Sequence, residues 1–97
     1  MNSTPHILIV DDDNRLRSLL KRFLHEEGFV VSTAASAAEA REVLALLTPD
    51  LMVLDVMMPG ETGIELAHTL SGKNVPPILM LSARSEPADR ITGFEAG

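Results

Sequence analysis

Four short runs rich in apolar and β-branched residues constrain this chain more than any other feature. They are separated by longer stretches with helical spacing, and they lie at residues 6–10, 29–33, 51–54 and 78–81. The first, third and fourth runs are typical of strands buried on both faces of a parallel sheet, and the second is β-prone. Because parallel strands need crossover connections, the alternating order predicts a doubly wound α/β fold with helices on both faces of the sheet.

The stretch after the first run predicts an amphipathic helix. Gly28 follows its last apolar residue and is a suitable C-terminal cap. The apolar residues recur at helical spacing and form one face of the helix, which we expect to pack on the sheet. They are Leu16, Leu19, Leu20, Phe23 and Leu24.

Three further helices are expected between and after the remaining runs. Ser36 and Glu39 have the spacing of a capping box and open the second helix, which the Thr-Pro-Asp sequence at 48–50 ends. A short third helix is expected at 64–70. The last helix is expected to open at Ser85-Glu86-Pro87, since proline suits the first turn, and to run towards the last residue.

Length, composition and charge narrow the possible functions. The 97 residues fit one domain spanning 1–97, and the lack of cysteine excludes disulfides, thiolate metal sites and cysteine nucleophiles. No run approaches the roughly 20 apolar residues of a membrane span, and no secretory signal is visible, so we expect a cytoplasmic protein without a membrane partner. The net charge of −6 argues against direct binding of nucleic acid by this chain.

Acidic or hydroxyl residues directly follow three of the four apolar runs. Asp11 and Asp12 follow the first run, Asp55 the third and Ser82 the fourth. In a sheet of order 2-1-3-4 these strands are neighbours, so their carboxyl ends converge where such folds bind ligands. Three carboxylates in one cleft repel each other, and a hard cation such as Mg²⁺ would relieve that repulsion. One carboxylate could then act as a nucleophile towards a phosphoryl group.

A simpler interpretation of this acidic cluster is a solvated loop or a helix cap. Aspartate accepts hydrogen bonds from the first turn of a helix and complements the helix dipole. We favour that role for Asp13, which stands beside Asn14 at the expected start of the first helix. The coincidence of acids at the ends of two different strands favours the metal site for the others.

With these residues in view, the sequence resembles the receiver domain of bacterial response regulators, and most closely the OmpR/PhoB branch. The motifs that carry the resemblance span essentially the whole chain, at 7–13, 49–60, 77–84 and 89–97. Family members have a flavodoxin-like sheet of order 2-1-3-4-5. Because the sequence ends before the stretch that carries the family's fifth strand, its lysine and its fifth helix, we expect an order of 2-1-3-4 and no output domain.

The resemblance assigns roles to the acidic residues. It implies that Asp55 is the phosphoacceptor, which takes a phosphoryl group from a histidine of a sensor histidine kinase. It also implies that Asp11 and Asp12 bind Mg²⁺ together with Asp55 and the backbone carbonyl of Met57. The chain would then be a phosphorylation-controlled regulatory domain that controls transcription through a DNA-binding output domain, and not a metabolic enzyme.

Three further residues receive roles from the same resemblance. Ser82 matches the hydroxyl that moves to the phosphoryl oxygen and starts the switch. Pro59 and Gly60 shape the loop that follows the phosphoacceptor.

The basic side of the first helix is most simply a solvated face, with docking of the kinase as a second hypothesis, and it carries Arg15, Arg17, Lys21 and Arg22.

Two other functions remain open from the sequence. A Mg²⁺-dependent aspartyl phosphatase of the haloacid-dehalogenase type would need an acid two residues after its nucleophile, where this chain has Met57. A receiver-like interaction fragment that no longer switches is the other alternative, since the family's lysine is missing. We also expect the apolar fourth strand, as a sheet edge, and the last helix to favour self-association.

Overall fold

A computed structural model of the protein describes residues 4–70 and 75–81. Within these ranges the expected alternation of strands and helices is confirmed, with the second strand one residue further along the chain than predicted. Ser82 and the predicted last helix lie outside the described residues. The elements are β1 (His6–Val10), α1 (Asn14–Glu26), β2 (Val30–Ala34), α2 (Ala37–Leu46), β3 (Leu51–Asp55), α3 (Gly63–Thr69) and β4 (Ile78–Leu81).

The four strands form one parallel sheet of order β2-β1-β3-β4, which confirms the predicted order. Val10, the last residue of β1, is in register with Ala34 of β2 and Leu54 of β3. Asp55 is in register with Leu81 of β4. The residues that follow β1 and those that end β3 therefore lie side by side at the carboxyl edge of the sheet.

The two faces of the sheet bury separate apolar clusters, because successive side chains of a strand point to opposite faces. On the α2–α3 face, Leu8 and Leu54 lie in a core cluster that also includes residues of α2 and α3. On the α1 face, Ile9 and Val53 lie in a smaller cluster. Within the described ranges, no helix is long and apolar enough to span a membrane.

The apolar face of α1 packs only partly on the sheet. Leu20 and Leu24 pack against the cluster of the α1 face. Leu16, Leu19 and Phe23 remain 37%, 63% and 57% exposed. A helix touches a sheet along one line of side chains, and no described residue covers the outer half of this apolar stripe.

Both ends of α1 are fixed by local hydrogen bonds that the sequence predicted. Asp13 is the N-cap, as expected, and its Oδ1 accepts from the backbone N–H groups of Arg15 and Leu16 at 3.0 and 3.2 Å. Gly28 follows the C-cap with a φ of 100°, a conformation that favours glycine. The N–H of Phe29 donates to the carbonyl of Leu24, the long bond of a Schellman motif.

Candidate functional site

The predicted convergence of acids at the carboxyl edge of the sheet is present. Asp11 and Asp12 lie in the loop between β1 and α1, and Asp55 is the last residue of β3. Each offers one carboxylate oxygen such that all three oxygens lie within 4.8 Å of one another. The parallel pairing of β1 with β3 produces this arrangement, because it brings the two strand ends together.

The two acids after β1 have different environments. Asp11 is 3% exposed, and its Oδ1 accepts a 2.9 Å hydrogen bond from the N–H of Asp13. Its own N–H donates to the carbonyl of Ala34, which extends the pairing of β1 with β2 by one residue. Asp12, in contrast, is exposed. One carboxylate is therefore held in place, and the next faces solvent, where an incoming ligand can reach it.

Asp55 is held in a desolvated position at the centre of the acidic group. It is 9% exposed, and its Oδ1 accepts a 3.0 Å hydrogen bond from the N–H of Met57. Burial raises the pKa of Asp55 to about 6; the Met57 N–H opposes that shift, and Asp11 and Asp12 add to it. The carboxylate is thus costly to ionise without a positive partner.

The loop after β3 is packed tightly against Asp55. A Cβ atom built on Gly63 would lie 2.1 Å from the backbone oxygen of Asp55, so only glycine allows α3 to begin there. The N–H of Gly63 donates to the carbonyl of Val56 at 3.0 Å. Gly60 has a φ of 77°, consistent with the predicted role of this residue in loop geometry.

The start of α3 contains a capping box that the sequence analysis missed. Thr62 accepts from the N–H of Glu65 at 3.1 Å, and the Glu65 side chain accepts from the N–H of Thr62 at 2.9 Å. The Thr-x-x-Glu spacing at 62–65 is itself the signal that could have found it. These two bonds fix the end of the loop that carries Met57.

Arg17 is the second feature that the sequence analysis missed. Its Nη1 donates a 2.7 Å hydrogen bond to the backbone carbonyl of Asp11, and its Nη2 donates to Oδ1 of Asn14. The expectation of a solvated basic face holds for Arg15, Lys21 and Arg22, which are exposed. It is wrong for Arg17, which is half-buried against the β1–α1 loop.

The chemistry of the donor set fits a hard divalent cation. The three nearby ligand atoms are carboxylate oxygens, and their mutual repulsion is relieved when a cation lies between them. Mg²⁺ suits such a site because it takes one or two carboxylates and keeps water or phosphate oxygens in its other positions. Met57 lies two residues after Asp55 in the sequence. It is 54% exposed, so the Met57 side chain is not part of the core.

A parallel sheet of this order with three carboxylates at its carboxyl edge defines a receiver-type α/β domain. The chain belongs to the response regulator receiver domain family, whose family model matches residues 7–97. It is 54% identical over 95 residues to protein PetR of Rhodobacter capsulatus, covering 98% of this chain and 40% of PetR. It is 43% identical over 91 residues to the transcriptional regulatory protein ResD of Bacillus subtilis, covering 94% of this chain and 38% of ResD.

The solved structures agree with the sequence relatives. The receiver domain of the Francisella response regulator 1452 superposes with a TM-score of 0.83 at 30% identity, covering 97% of this chain and 78% of that chain. The predicted family, its OmpR/PhoB branch and the flavodoxin-like fold are thereby confirmed. The chain spans about 40% of the length of the curated relatives it matches. The chain is a response regulator receiver domain, and ResD, one of the relatives that it matches, is a transcriptional regulatory protein.

Proposed function

We propose that the chain accepts a phosphoryl group on Asp55 from the phosphohistidine of a sensor histidine kinase, in a reaction that requires Mg²⁺. The observation that carries the proposal is the meeting of Asp11, Asp12 and Asp55, whose oxygens lie within 4.8 Å of one another. Membership of the receiver family supports it. The phosphorylated domain would then control a DNA-binding output domain and so regulate transcription, in the cytoplasm where the kinase domain presents its histidine.

The residues of the site have distinct tasks in this reaction. Asp11 and Asp12 would hold Mg²⁺ together with Asp55 and the backbone carbonyl of Met57, and the bound ion would supply positive charge for the phosphoryl oxygens. The Met57 N–H fixes one oxygen of Asp55, so the carboxylate is oriented for attack. The carboxylate forms the new P–O bond as the P–N bond to the kinase histidine breaks, and the imidazole takes up a proton.

The remaining site residues act after the transfer. Phosphorylation adds charge and strong acceptor oxygens at Asp55, and a hydroxyl donor nearby follows them. We assign that hydroxyl to Ser82, which directly follows the last residue of β4 in the sequence. Pro59 and Gly60 give the loop after Asp55 the turn that it needs. We take residues 1–97 together as the receiver unit.

Intact mass measurement tests the proposal directly. The chain is incubated with Mg²⁺ and acetyl phosphate, and we expect one phosphoryl adduct that disappears in Asp55→Asn and when the metal is chelated. Asp13→Asn is the matched control, because asparagine also caps helices and Asp13 serves as the N-cap of α1. Turnover of acetyl phosphate without an adduct would support the aspartyl phosphatase, and no reaction of the folded chain would support the non-switching fragment.

We also propose that the isolated chain associates through the β4 edge and the segment that follows it. Among the described residues β4 pairs with β3 alone, and Leu79 of β4 is 40% exposed. An apolar edge of this kind offers unpaired backbone groups to a second chain. Sedimentation should detect a dimer that Leu79→Lys weakens, and a monomer at all concentrations would contradict the proposal.

A further inference from the structure

We infer that Arg17 is a positioning residue for the metal-binding carboxylates, an inference that rests on the proposed function. Its guanidinium holds the loop between β1 and α1 so that Asp11 and Asp12 stay beside Asp55. Arg17 is not a ligand of the ion, since a guanidinium is positively charged and has only N–H donors, which here donate to the carbonyl of Asp11 and the side chain of Asn14.

The contacts of Arg17 span the whole of this short loop. One arm of the guanidinium donates to the backbone carbonyl of Asp11, and the other donates to the side chain of Asn14, the first residue of α1. The backbone N–H of Arg17 donates to the carbonyl of Asp13 at 2.9 Å. Arg17 therefore connects the start of the loop to its end, with Asp12 between the two points.

The apolar packing on this side of the sheet is too sparse to hold the loop by itself. No residue of α1 is buried, within the part of the chain that the structure describes. Asp11 is buried, but it is held by hydrogen bonds to Asp13 and Ala34 and by the Arg17 contact. A planar guanidinium with two occupied arms fixes such a loop better than a lysine, whose ammonium is a single flexible point charge.

Charge and geometry predict opposite effects on Mg²⁺ binding when Arg17 is replaced. If the positive charge were all that mattered, its removal would leave a more negative cleft and Mg²⁺ would bind more tightly. If the two-armed contact matters, its removal lets Asp11 and Asp12 drift from Asp55 and Mg²⁺ binds more weakly. The sign of the change therefore separates the two roles.

The test is a calorimetric titration of the full chain with Mg²⁺ alone. We expect Arg17→Gln to weaken Mg²⁺ binding about tenfold, the low end for residues that orient metal ligands. Arg17→Lys keeps the charge but loses the fork, so we expect it to bind Mg²⁺ no more tightly than Arg17→Gln. The matched control is Arg22→Gln, which should bind Mg²⁺ with the wild-type affinity. Arg22 is an exposed arginine of the same helix, and its side chain pairs with Glu26.

Phosphorylation by acetyl phosphate supplies a second readout. Arg17→Gln should need about tenfold more Mg²⁺ for half-maximal rate. At saturating Mg²⁺ its rate should return to that of the wild type, because the ion restores the arrangement that Arg17 maintains. A purely structural role would lower the fraction of folded protein without changing this requirement for Mg²⁺.

Three results would overturn the inference. If Arg17→Gln binds Mg²⁺ as tightly as the wild type or more tightly, only the charge of Arg17 affects binding. If Arg17→Lys binds Mg²⁺ as tightly as the wild type, the two-armed contact of the guanidinium is not required. If the wild type itself binds no Mg²⁺, the proposed function fails as well, which distinguishes the two failures. Should Arg17→Gln not fold, Asn14→Ala removes one arm of the contact alone, and we expect it to weaken binding about threefold; unchanged binding would again overturn the inference.

Discussion

The two faces of the sheet are packed very differently. On the α2–α3 face, helix residues Ala37, Ala40 and Leu66 are buried, and Ala40 and Leu66 are completely inaccessible. On the α1 face, α1 contributes no buried residue among those described, and Leu19 and Phe23 face outward. The small side chains of Ala37 and Ala40 in α2 are buried, whereas α1 carries larger apolar side chains that stay partly exposed.

This difference extends to the functional site, because each half of the site depends on one face. Asp55 is supported by the α2–α3 face, since α3 begins at Gly63, which lies directly against the backbone of Asp55. Asp11 and Asp12 sit in a loop on the sparse side, which is held by the cap of Asp13 and the contact of Arg17. We therefore expect Asp55 to respond to changes in packing and the acid pair to changes in hydrogen bonding.

The largest effect should come from truncating the same side chain on the two faces. Leu66→Ala removes a completely buried side chain and should lower the free energy of unfolding by about 3 kcal/mol. Leu19→Ala removes one that is 63% exposed and should cost no more than about 0.5 kcal/mol. Urea denaturation measures both, and equal losses would mean that the faces do not differ in packing.

A matched pair of glycine replacements tests the support of Asp55. Gly63→Ala forces a Cβ to 2.1 Å from the backbone oxygen of Asp55 and should cost about 2 kcal/mol, with slower phosphorylation of the folded protein. Gly60→Ala meets no atom within 4 Å and is strained only by its positive φ, so it should cost about 1 kcal/mol. Gly60→Ala should slow phosphorylation of the folded protein less than Gly63→Ala does; an equal loss of rate in both variants would argue against a specific role of the Gly63 contact.

The acidic cleft should make metal-free stability depend on pH through Asp55. Its pKa is raised from 3.8 to about 6, so the folded state holds a proton that the unfolded state releases, and stability falls as pH rises through this window. Asp55→Asn removes that penalty. The free energy of unfolding of Asp55→Asn should equal that of the wild type below pH 3.8 and exceed it by about 2 kcal/mol above about pH 6. This figure is smaller than the full pKa shift would give, because solvent reaches the cleft.

Thermal unfolding of both proteins across pH 3 to 8 measures this effect. Mg²⁺ should stabilise the wild type and close the gap at neutral pH, because the cation replaces the proton as the partner of the carboxylate. A gap that does not change with pH would contradict the role of Asp55 ionisation in the metal-free protein.

The smallest effect should come from an ion pair on the dense side. Both guanidinium arms of Arg41 in α2 contact Glu61 at 2.6 and 2.5 Å, and one arm also donates to Thr69 at the end of α3. The Arg41 hydrogen bond lowers the pKa of Glu61, so this stabilisation is present at neutral pH and is lost as pH falls through the lowered value.

Charge reversal measures that ion pair. Arg41→Glu should lower the melting temperature at neutral pH, and the double variant with Glu61→Arg should recover most of the loss. Arg22→Gln on the α1 face breaks a more exposed pair at 3.5 Å and should change the melting temperature less. No recovery in the double variant would mean that the Arg41–Glu61 contact is not an independent source of stability.

The sequence predicted most of the fold and the acidic group for identifiable reasons. The strands follow from their apolar runs, and Asp13 and Gly28 marked the ends of α1 because caps depend on a few consecutive residues. The proximity of Asp11, Asp12 and Asp55 could be predicted because parallel pairing places the carboxyl ends of the strands at one edge of the sheet. The exposure of Leu19 and Phe23 could not be predicted in this way, since periodicity identifies an apolar face but not what covers it.

What the sequence determined by itself is therefore local: element order, helix caps and the acids at the strand ends, all of which depend on neighbours along the chain. The tertiary structure alone decided that Arg17 reaches back to the carbonyl of Asp11, that Gly63 touches the backbone of Asp55, and that burial raises the pKa of Asp55. These features depend on distances of a few ångströms between separate elements and on the exclusion of water, and such distances exist only once the sheet and its helices have packed.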